Sequence, residues 1–358
     1  MPKNIKKKET LKLFKTTSFN KNFKSFNENP INLFNGDVRN LLISLKEKFN
    51  TPKIDLLITS PPYNIGKEYE GELSHEEYVA LHEDVITTVL PQIKKTGSIC
   101  WQVGCQVNKT GRSASIAPLD FLYHELFMKI AKKLNIPLKL KNRIIWRFGH
   151  GGMAKTRFSG RYEVVLWYTV SDDYIFNLNE VGEPQKYPSK RQTLEKGGKI
   201  SGQFLGKNPE DVWDFNETVW DIPNVKSYHP EKTIHPCQFP IDLIQRLILA
   251  LTNKGGIVFD PYAGVHSSGC AAVLLDRKYI GAEIDTDYSE EGLKRIKKAV
   301  KRKLIYREGR GVMDPKESRF SVMPEAWLRM SAKNLFKKYG SVEEIVKYLK
   351  QFPHNKYD

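Results

Sequence analysis

The chain is 358 residues long, 40% hydrophobic and 11% aromatic, with a formal net charge of +16. That composition supports one large α/β domain with insertions, or two modest domains, and excludes a disordered chain. The excess positive charge favours a nucleic-acid partner, while Cys100, Cys105, Cys237 and Cys270 form no Cys-x-x-Cys pair and no apolar run nears the roughly 20 residues of a membrane span.

Residues 1–28 hold eight lysines interleaved with Phe14, Phe19, Phe23 and Phe26. They read as a basic arm for nucleic acid or as a loosely attached leader, and they lack the continuous apolar core of a secretory signal. A soluble cytoplasmic protein with free buried thiols, no metal and no membrane partner is expected. From 29 to 171 strand and helix patterns alternate. "INLFNG" is a short strand, and Val38, Leu41, Leu42 and Leu45 follow at helical spacing. "KIDLLITS" is a buried strand that ends in Pro61-Pro62. Ser74 and Glu77 form a capping box for the helix "SHEEYVALHEDVITTVLPQI". A strand after Gly97, a helix in "APLDFLYHELFMKIAKKLN", and strands "NRIIWRF" and "YEVVLWYT" complete this part.

Residues 172–232 break the rhythm with Gly, Pro, Lys and Asn and no sustained period. The alternation resumes over 233–310 with a helix at "PIDLIQRLILALT", the strand "GGIVFDPYAG", a helix near 267–276 and the strand "YIGAEID". Residues 311–358 look like a helical extension. Alternation of this kind implies a doubly wound α/β sheet. Asp260 ends one strand at a glycine turn, and Glu283 ends the next strand 23 positions later. A tight turn for a phosphate or nucleotide backbone followed by a ribose-binding acid has this layout.

Four segments together carry a resemblance. "TSPPYN" (59–64) resembles the Asp/Ser-Pro-Pro-Tyr/Phe motif of the DNA amino-methyltransferases that use S-adenosylmethionine. "FDPYAG" (259–264) is similar to their cofactor motif, "HPCQFP" (235–240) to the segment before it, and "IGAEID" to the strand with the ribose acid. The catalytic motif precedes the cofactor motif, as in the permuted beta class of the N4-cytosine/N6-adenine family. The resemblance spans about residues 30–300. It implies a Rossmann-like methyltransferase domain with a mostly parallel sheet, interrupted at 172–232 by an irregular target-recognition insertion. The halves at 29–171 and 233–310 would be catalytic and cofactor-binding. The family pattern places a glycine at position 266, where this chain has His266.

An exocyclic amine is a poor nucleophile because its lone pair is delocalised, so acceptors must hold its hydrogens and positioning carries much of the rate. The resemblance gives that task to Ser60 and the Pro61 carbonyl. Pro61 and Pro62 stiffen the corner and donate no hydrogen bond, Tyr63 would stack on a base rotated out of the duplex, and Asn64 would hold the corner or the base. Two prolines after a strand also simply terminate it. Asp260, Tyr262 and Gly264 would line the methionine side of S-adenosylmethionine, Glu283 its ribose, and His235 and Gln238 its carboxylate end. Asp37 either reaches the adenine or only caps the next helix.

Between 147 and 161, Arg147, His150, Lys155, Arg157 and Arg161 lie on a glycine-rich loop suited to phosphate contacts or to solvent. Double-stranded DNA is the expected partner, together with a cognate restriction endonuclease acting on the same site, for a monomer or homodimer. By the same resemblance, a serine at position 60 implies cytosine N4 as the target, with adenine N6 as the alternative. Two other readings stand beside these: methylation of RNA or a free nucleotide, and a DNA-binding protein whose cofactor site is degenerate because of His266.

Overall fold

A computed structural model describes residues 31–42, 53–65, 73–110, 113–149, 151, 153–182, 208–214, 222–226 and 229–307. The basic arm, the C-terminal extension, His150 and most of 172–232 lie outside the described residues. Strand β1 (Ile31–Asn35) leads into a helical segment at residues 38–42, α1. Then come β2 (Ile54–Thr59), α2 (His75–Val89), β3 (Ile93–Val103), the hairpin β4 (Cys105–Thr110) and β5 (Ser113–Pro118), and α3 (Leu119–Lys133). Strands β6 (Lys139–Arg147) and β7 (Tyr162–Thr169) are followed by the short α4 (Leu178–Val181) and β8 (Val212–Asp214). The chain continues through α5 (Ile241–Leu251), β9 (Ile257–Asp260), α6 (Ser267–Leu274), β10 (Lys278–Glu283) and α7 (Thr286–Val300).

Among the described residues, eight strands form one sheet in the order β1-β10-β9-β2-β3-β7-β6-β8. From β1 to β3 every pair is parallel, whereas β7 is antiparallel to both β3 and β6. Strand β2 is buried on both faces, which is why Leu56, Leu57 and Ile58 follow one another without polar alternation. Along β2, Leu57 packs with Val85, Ile86 and Phe127 on the α2–α3 side. Leu56 and Ile58 pack with Ile244, Ile248 and Ala271 on the α5–α6 side. Successive residues thus enter opposite cores, as the two-residue period of a strand requires, and the sheet is doubly wound. The Ser74 hydroxyl accepts the Glu77 N–H at 3.2 Å and the Glu77 carboxylate accepts the Ser74 N–H at 2.9 Å, completing the expected capping box.

Three details differ from the sequence reading. Strand β3 starts at Ile93, before Gly97, because it pairs with Ile54 at the start of β2. Ala117 and Pro118 belong to the β4–β5 hairpin, and helix α3 starts only after them. Cys100 and Cys270 are buried free thiols as expected, but Cys237 is exposed and Cys105 half-buried.

Candidate active site

Strands β2 and β9 are neighbours in the parallel sheet, with Leu56 opposite Val258 and Leu57 opposite Phe259. Their carboxyl ends therefore emerge side by side, at the edge where open α/β sheets bind ligands. The Thr59 hydroxyl donates to Asp260 Oδ1 at 2.7 Å, joining two motifs 201 positions apart in sequence. The shared edge opens into one cleft of about 1430 Å³, larger than the roughly 300–1,000 Å³ of an ordinary small-molecule pocket. Ser60–Ile65 line one side; Asp260–Val265, Glu283 and His235 line the other.

The Pro-Pro corner is braced from several elements. The Tyr78 hydroxyl of α2 donates to the Pro62 carbonyl at 2.9 Å, and Gln106 of β4 donates to the Tyr63 carbonyl at 2.6 Å. Asn64 takes the left-handed conformation (φ 55°) that asparagine tolerates, and its amide donates to the Leu73 carbonyl at 2.9 Å. Asn64 therefore holds the corner. Ser60 Oγ lies 3.1 Å from the Tyr63 hydroxyl. Under the corner, His82 Nδ1 sits 2.9 Å from the Tyr262 hydroxyl, and the Tyr78 and Tyr123 hydroxyls are 2.7 Å apart. Burial pushes His82 down to about 3, so it is a neutral ring packed among Tyr78, Tyr123 and Tyr262. These side chains tie the Pro-Pro corner to the turn after β9 through α2.

The turn after β9 is built by its own hydrogen bonds. Asp260 accepts from Thr59, from Ser268 and from the Tyr262 N–H at 3.1 Å. Burial pushes its carboxyl up to about 6 against those bonds. Gly264 has φ 51°, and a Cβ there would lie 3.3 Å from the His235 ring. Its N–H donates to Glu283 Oε2 at 2.6 Å, while Oε1 accepts the Asp285 N–H at 2.9 Å. Burial pushes Glu283 up to about 7. Asp37 lines the cleft, and it caps the helical turn by accepting the Arg39 N–H at 2.9 Å. Burial raises its pKa, but the hydrogen bonds from Arg39 outweigh burial and hold the carboxyl below its ordinary value.

The sequence model of the DNA methylase family matches residues 54–294. The type II methyltransferase M.BglII of Bacillus subtilis is 38% identical over 266 residues, 74% of this chain and 68% of its own length. M.ScaI of Streptomyces caespitosus is 34% identical, covering 74% and 80%. The DNA adenine methyltransferase YhdJ of Escherichia coli K12 is 30% identical, covering 70% and 78%. Among solved structures, the cytosine-N4-specific PvuII DNA methyltransferase shares the fold at a TM-score of 0.54 and 18% identity, over 76% of this chain and 94% of that one.

The chain belongs to the DNA methylase family. It is a DNA amino-methyltransferase, and S-adenosylmethionine is the methyl donor of that family. The residues present fit the donor. The turn at Gly264 has a positive φ and would bring a Cβ tightly against the His235 ring, so the backbone itself faces the cleft edge, and each Glu283 oxygen keeps acceptor capacity beyond its one backbone bond. His266, where the family pattern has glycine, is fully buried and is not among the residues lining the cleft. Its backbone takes the conformation a glycine would (φ 53°) while the ring points into the core, 3.1 Å from the Tyr279 hydroxyl.

Of the other expected residues, His235 and Gln238 both line the cleft. Gln238 gives its carbonyl oxygen to Thr233 and one amide N–H to the Glu231 carbonyl, bracing the 231–238 loop, and its amide nitrogen carries a second N–H. Lys155 and Arg157 lie at the cleft, whereas Arg161 donates to the Gly149 carbonyl at 3.0 Å and Arg147 ends β6 in solvent. Sequence reasoning missed Gln102, Glu163 and Lys226, which line the cleft near Tyr63, and the exposed Met153 and Phe158 on the loop with Lys155. Glu163 carried one visible signal, an acid at the start of a strand that is otherwise buried. Among the described residues no helix is long and apolar enough to cross a membrane.

Proposed function

We propose that this DNA methyltransferase modifies cytosine N4 within a specific duplex sequence, as the modification arm of a restriction-modification system with a cognate endonuclease. The observation that carries the choice of base is Ser60, a neutral hydroxyl at the position where adenine-modifying relatives more often carry an aspartate. The reading gives Ser60 Oγ and the Pro61 carbonyl to the two amine hydrogens, and the face of Tyr63 to the extruded ring. S-adenosylmethionine, when bound, supplies an electrophilic methyl group on a sulfonium. Asp260, Tyr262 and Gly264 would hold its amino-acid end, His235 and Gln238 its carboxylate, Glu283 its ribose and Asp37 its adenine.

Lys155 and Arg157 would take phosphates of the duplex at the cleft mouth, with Arg147, His150 and Arg161 assigned to the same loop's DNA contacts. Met153 and Phe158 are 82% and 98% exposed beside them. Apolar side chains so placed fill the gap that a flipped base leaves in the stack. Residues 172–232 are the proposed target-recognition region. Adenine N6 is the second reading, favoured by the similarity to an adenine-specific relative. Plasmid DNA treated with the purified enzyme and sequenced for modified bases decides between them: N4-methylcytosine in one sequence context is expected, and N6-methyladenine establishes the second reading.

A further inference from the structure

Glu163, a carboxyl at the cleft beside Tyr63, has no task among the roles assigned above. It is the second residue of β7, and because β7 runs antiparallel to β3 its first residues reach the same edge of the sheet as the Pro-Pro corner. Val164 pairs with Val103, so Glu163 stands beside Gly104. A Cβ on Gly104 would lie 3.2 Å from the Tyr63 ring and 3.5 Å from Glu163 Cγ, so the ring and the carboxylate pack across a bare backbone. The Tyr63 hydroxyl hydrogen-bonds to the Glu163 carboxylate, and Gln102 Nε2 donates to Glu163 Oε2. Gln102 Oε1 is buried in the same place without a partner among the described residues.

These contacts fix the direction of a short chain of hydrogen bonds. An ionised carboxylate only accepts, so the single proton of the Tyr63 hydroxyl goes to Glu163. The Tyr63 oxygen then accepts from Ser60 Oγ, 3.1 Å away. The Ser60 proton is thereby used, and the lone pairs of Ser60 are what it can offer a substrate. A serine hydroxyl is otherwise free to rotate and present either a donor or an acceptor. A target amine, which brings two N–H donors, needs the acceptor.

We propose that Glu163 sets Ser60 as an acceptor and receives, through the Tyr63 and Ser60 hydroxyls, the proton that the target amine loses on methylation. The step balances. The amine nitrogen forms a bond to the methyl carbon as the carbon–sulfur bond breaks, and the sulfur keeps that electron pair and becomes neutral. The nitrogen, now positive, gives one proton to Ser60 Oγ, Ser60 passes its own to Tyr63, and Tyr63 passes its own to the carboxylate. Glu163 then returns a proton to solvent through the cleft. It touches no reacting atom and acts through Tyr63 and Ser60 alone.

The groups facing Glu163 suit the task. Burial pushes its carboxyl up to about 7, against the bonds from Gln102 and Tyr63 and the charge of Lys226 on the 222–226 segment. Next to Gly104, burial raises Cys105 so that it stays an uncharged thiol, and the residue paired with Glu163 on β6 is the neutral Trp146. A carboxylate poised near neutrality accepts a proton readily and gives it up again.

The inference rests on Ser60 as the amine acceptor, and single-turnover methyl transfer to duplex DNA, measured across pH, separates the two. With wild type the rate falls on the acid side with a midpoint near 7. Glu163→Gln is expected to lose roughly 10²-fold and to show a flat profile, and Tyr63→Phe, which keeps the ring, also loses the limb. Calorimetric binding of S-adenosylmethionine stays at the wild-type value in both. In protein labelled with ¹³C at glutamate carboxyls, one resonance titrating near 7 disappears in Glu163→Gln and titrates higher in Tyr63→Phe. Wild-type rates in Glu163→Gln, or an acid limb that persists in it, overturn the proposal; if that variant does not fold, the limb in Tyr63→Phe decides. Ser60→Ala that still transfers methyl removes the acceptor reading and this inference together. Loss in Ser60→Ala with an unaltered Glu163→Gln removes this inference alone.

Discussion

At the scale of single residues, His266 is the clearest departure from the family pattern. It takes φ 53° and ψ 43°, a backbone conformation that costs a non-glycine residue about 1–2 kcal/mol. Two glycines make room for the ring: a Cβ would lie 2.3 Å from it at Gly292 and 2.8 Å from it at Gly281. Burial pushes the imidazole down to about 3, so it packs as a neutral ring edge-on to Tyr279. The family's glycine has thus been replaced without moving a side chain into the cleft. His266→Gly relieves the backbone but opens a hole between β10 and α7, and the hole outweighs the relief. A loss of roughly 2 kcal/mol is expected in urea unfolding, with S-adenosylmethionine affinity by calorimetry within about twofold of wild type. A tenfold change in affinity with unaltered stability would place the ring's influence in the cofactor turn.

At the scale of elements, the reach of the site comes from loops hung on a rigid sheet. The corner after β2 is held by α2, β4 and the residues before α2, so its carbonyls and hydroxyls are set before substrate arrives. The 147–161 segment is held differently. Arg161 ties its base to Gly149 and Ser159 Oγ accepts the Ala154 N–H at 3.0 Å, while Lys155 extends into solvent at the cleft mouth with Arg157 beside it. Phosphate contacts release counterions, and each one adds about 0.9 to the slope of affinity against salt. The double variant Lys155→Ala/Arg157→Ala is therefore expected to bind duplex DNA more weakly at low salt. The slope of log affinity against log salt should fall by about 2, and turnover at saturating DNA should be retained. An unchanged slope, read by fluorescence anisotropy over a salt series, would remove this loop from the DNA interface.

At the scale of the whole molecule, the arrangement is legible in the sequence where local chemistry is decisive. Buried apolar runs ending in Thr59 and Asp260 mark two parallel strands, and the capping box at Ser74 marks a helix start, because each rests on neighbours in the chain. What stayed hidden depends on contacts distant in sequence. The reversal of β7, which brings Glu163 beside Tyr63, leaves no trace in the residues of β7 itself. Nor does the sequence reveal that His82, on the apolar face of α2, meets the hydroxyl of Tyr262, 180 positions away. The direction of the His266 ring depends on glycines 15 and 26 positions downstream. The edge shared by Ser60–Tyr63 and Asp260–Gly264 is the proposed place of methyl transfer to DNA. Transfer of a labelled methyl group from S-adenosylmethionine to duplex DNA, by wild type and by Ser60→Ala matched for DNA and cofactor binding, tests it most directly. Labelled DNA with wild type and a loss of at least roughly 10²-fold with Ser60→Ala are expected; equal transfer by both proteins, or label in RNA and not in duplex DNA, would overturn that placement.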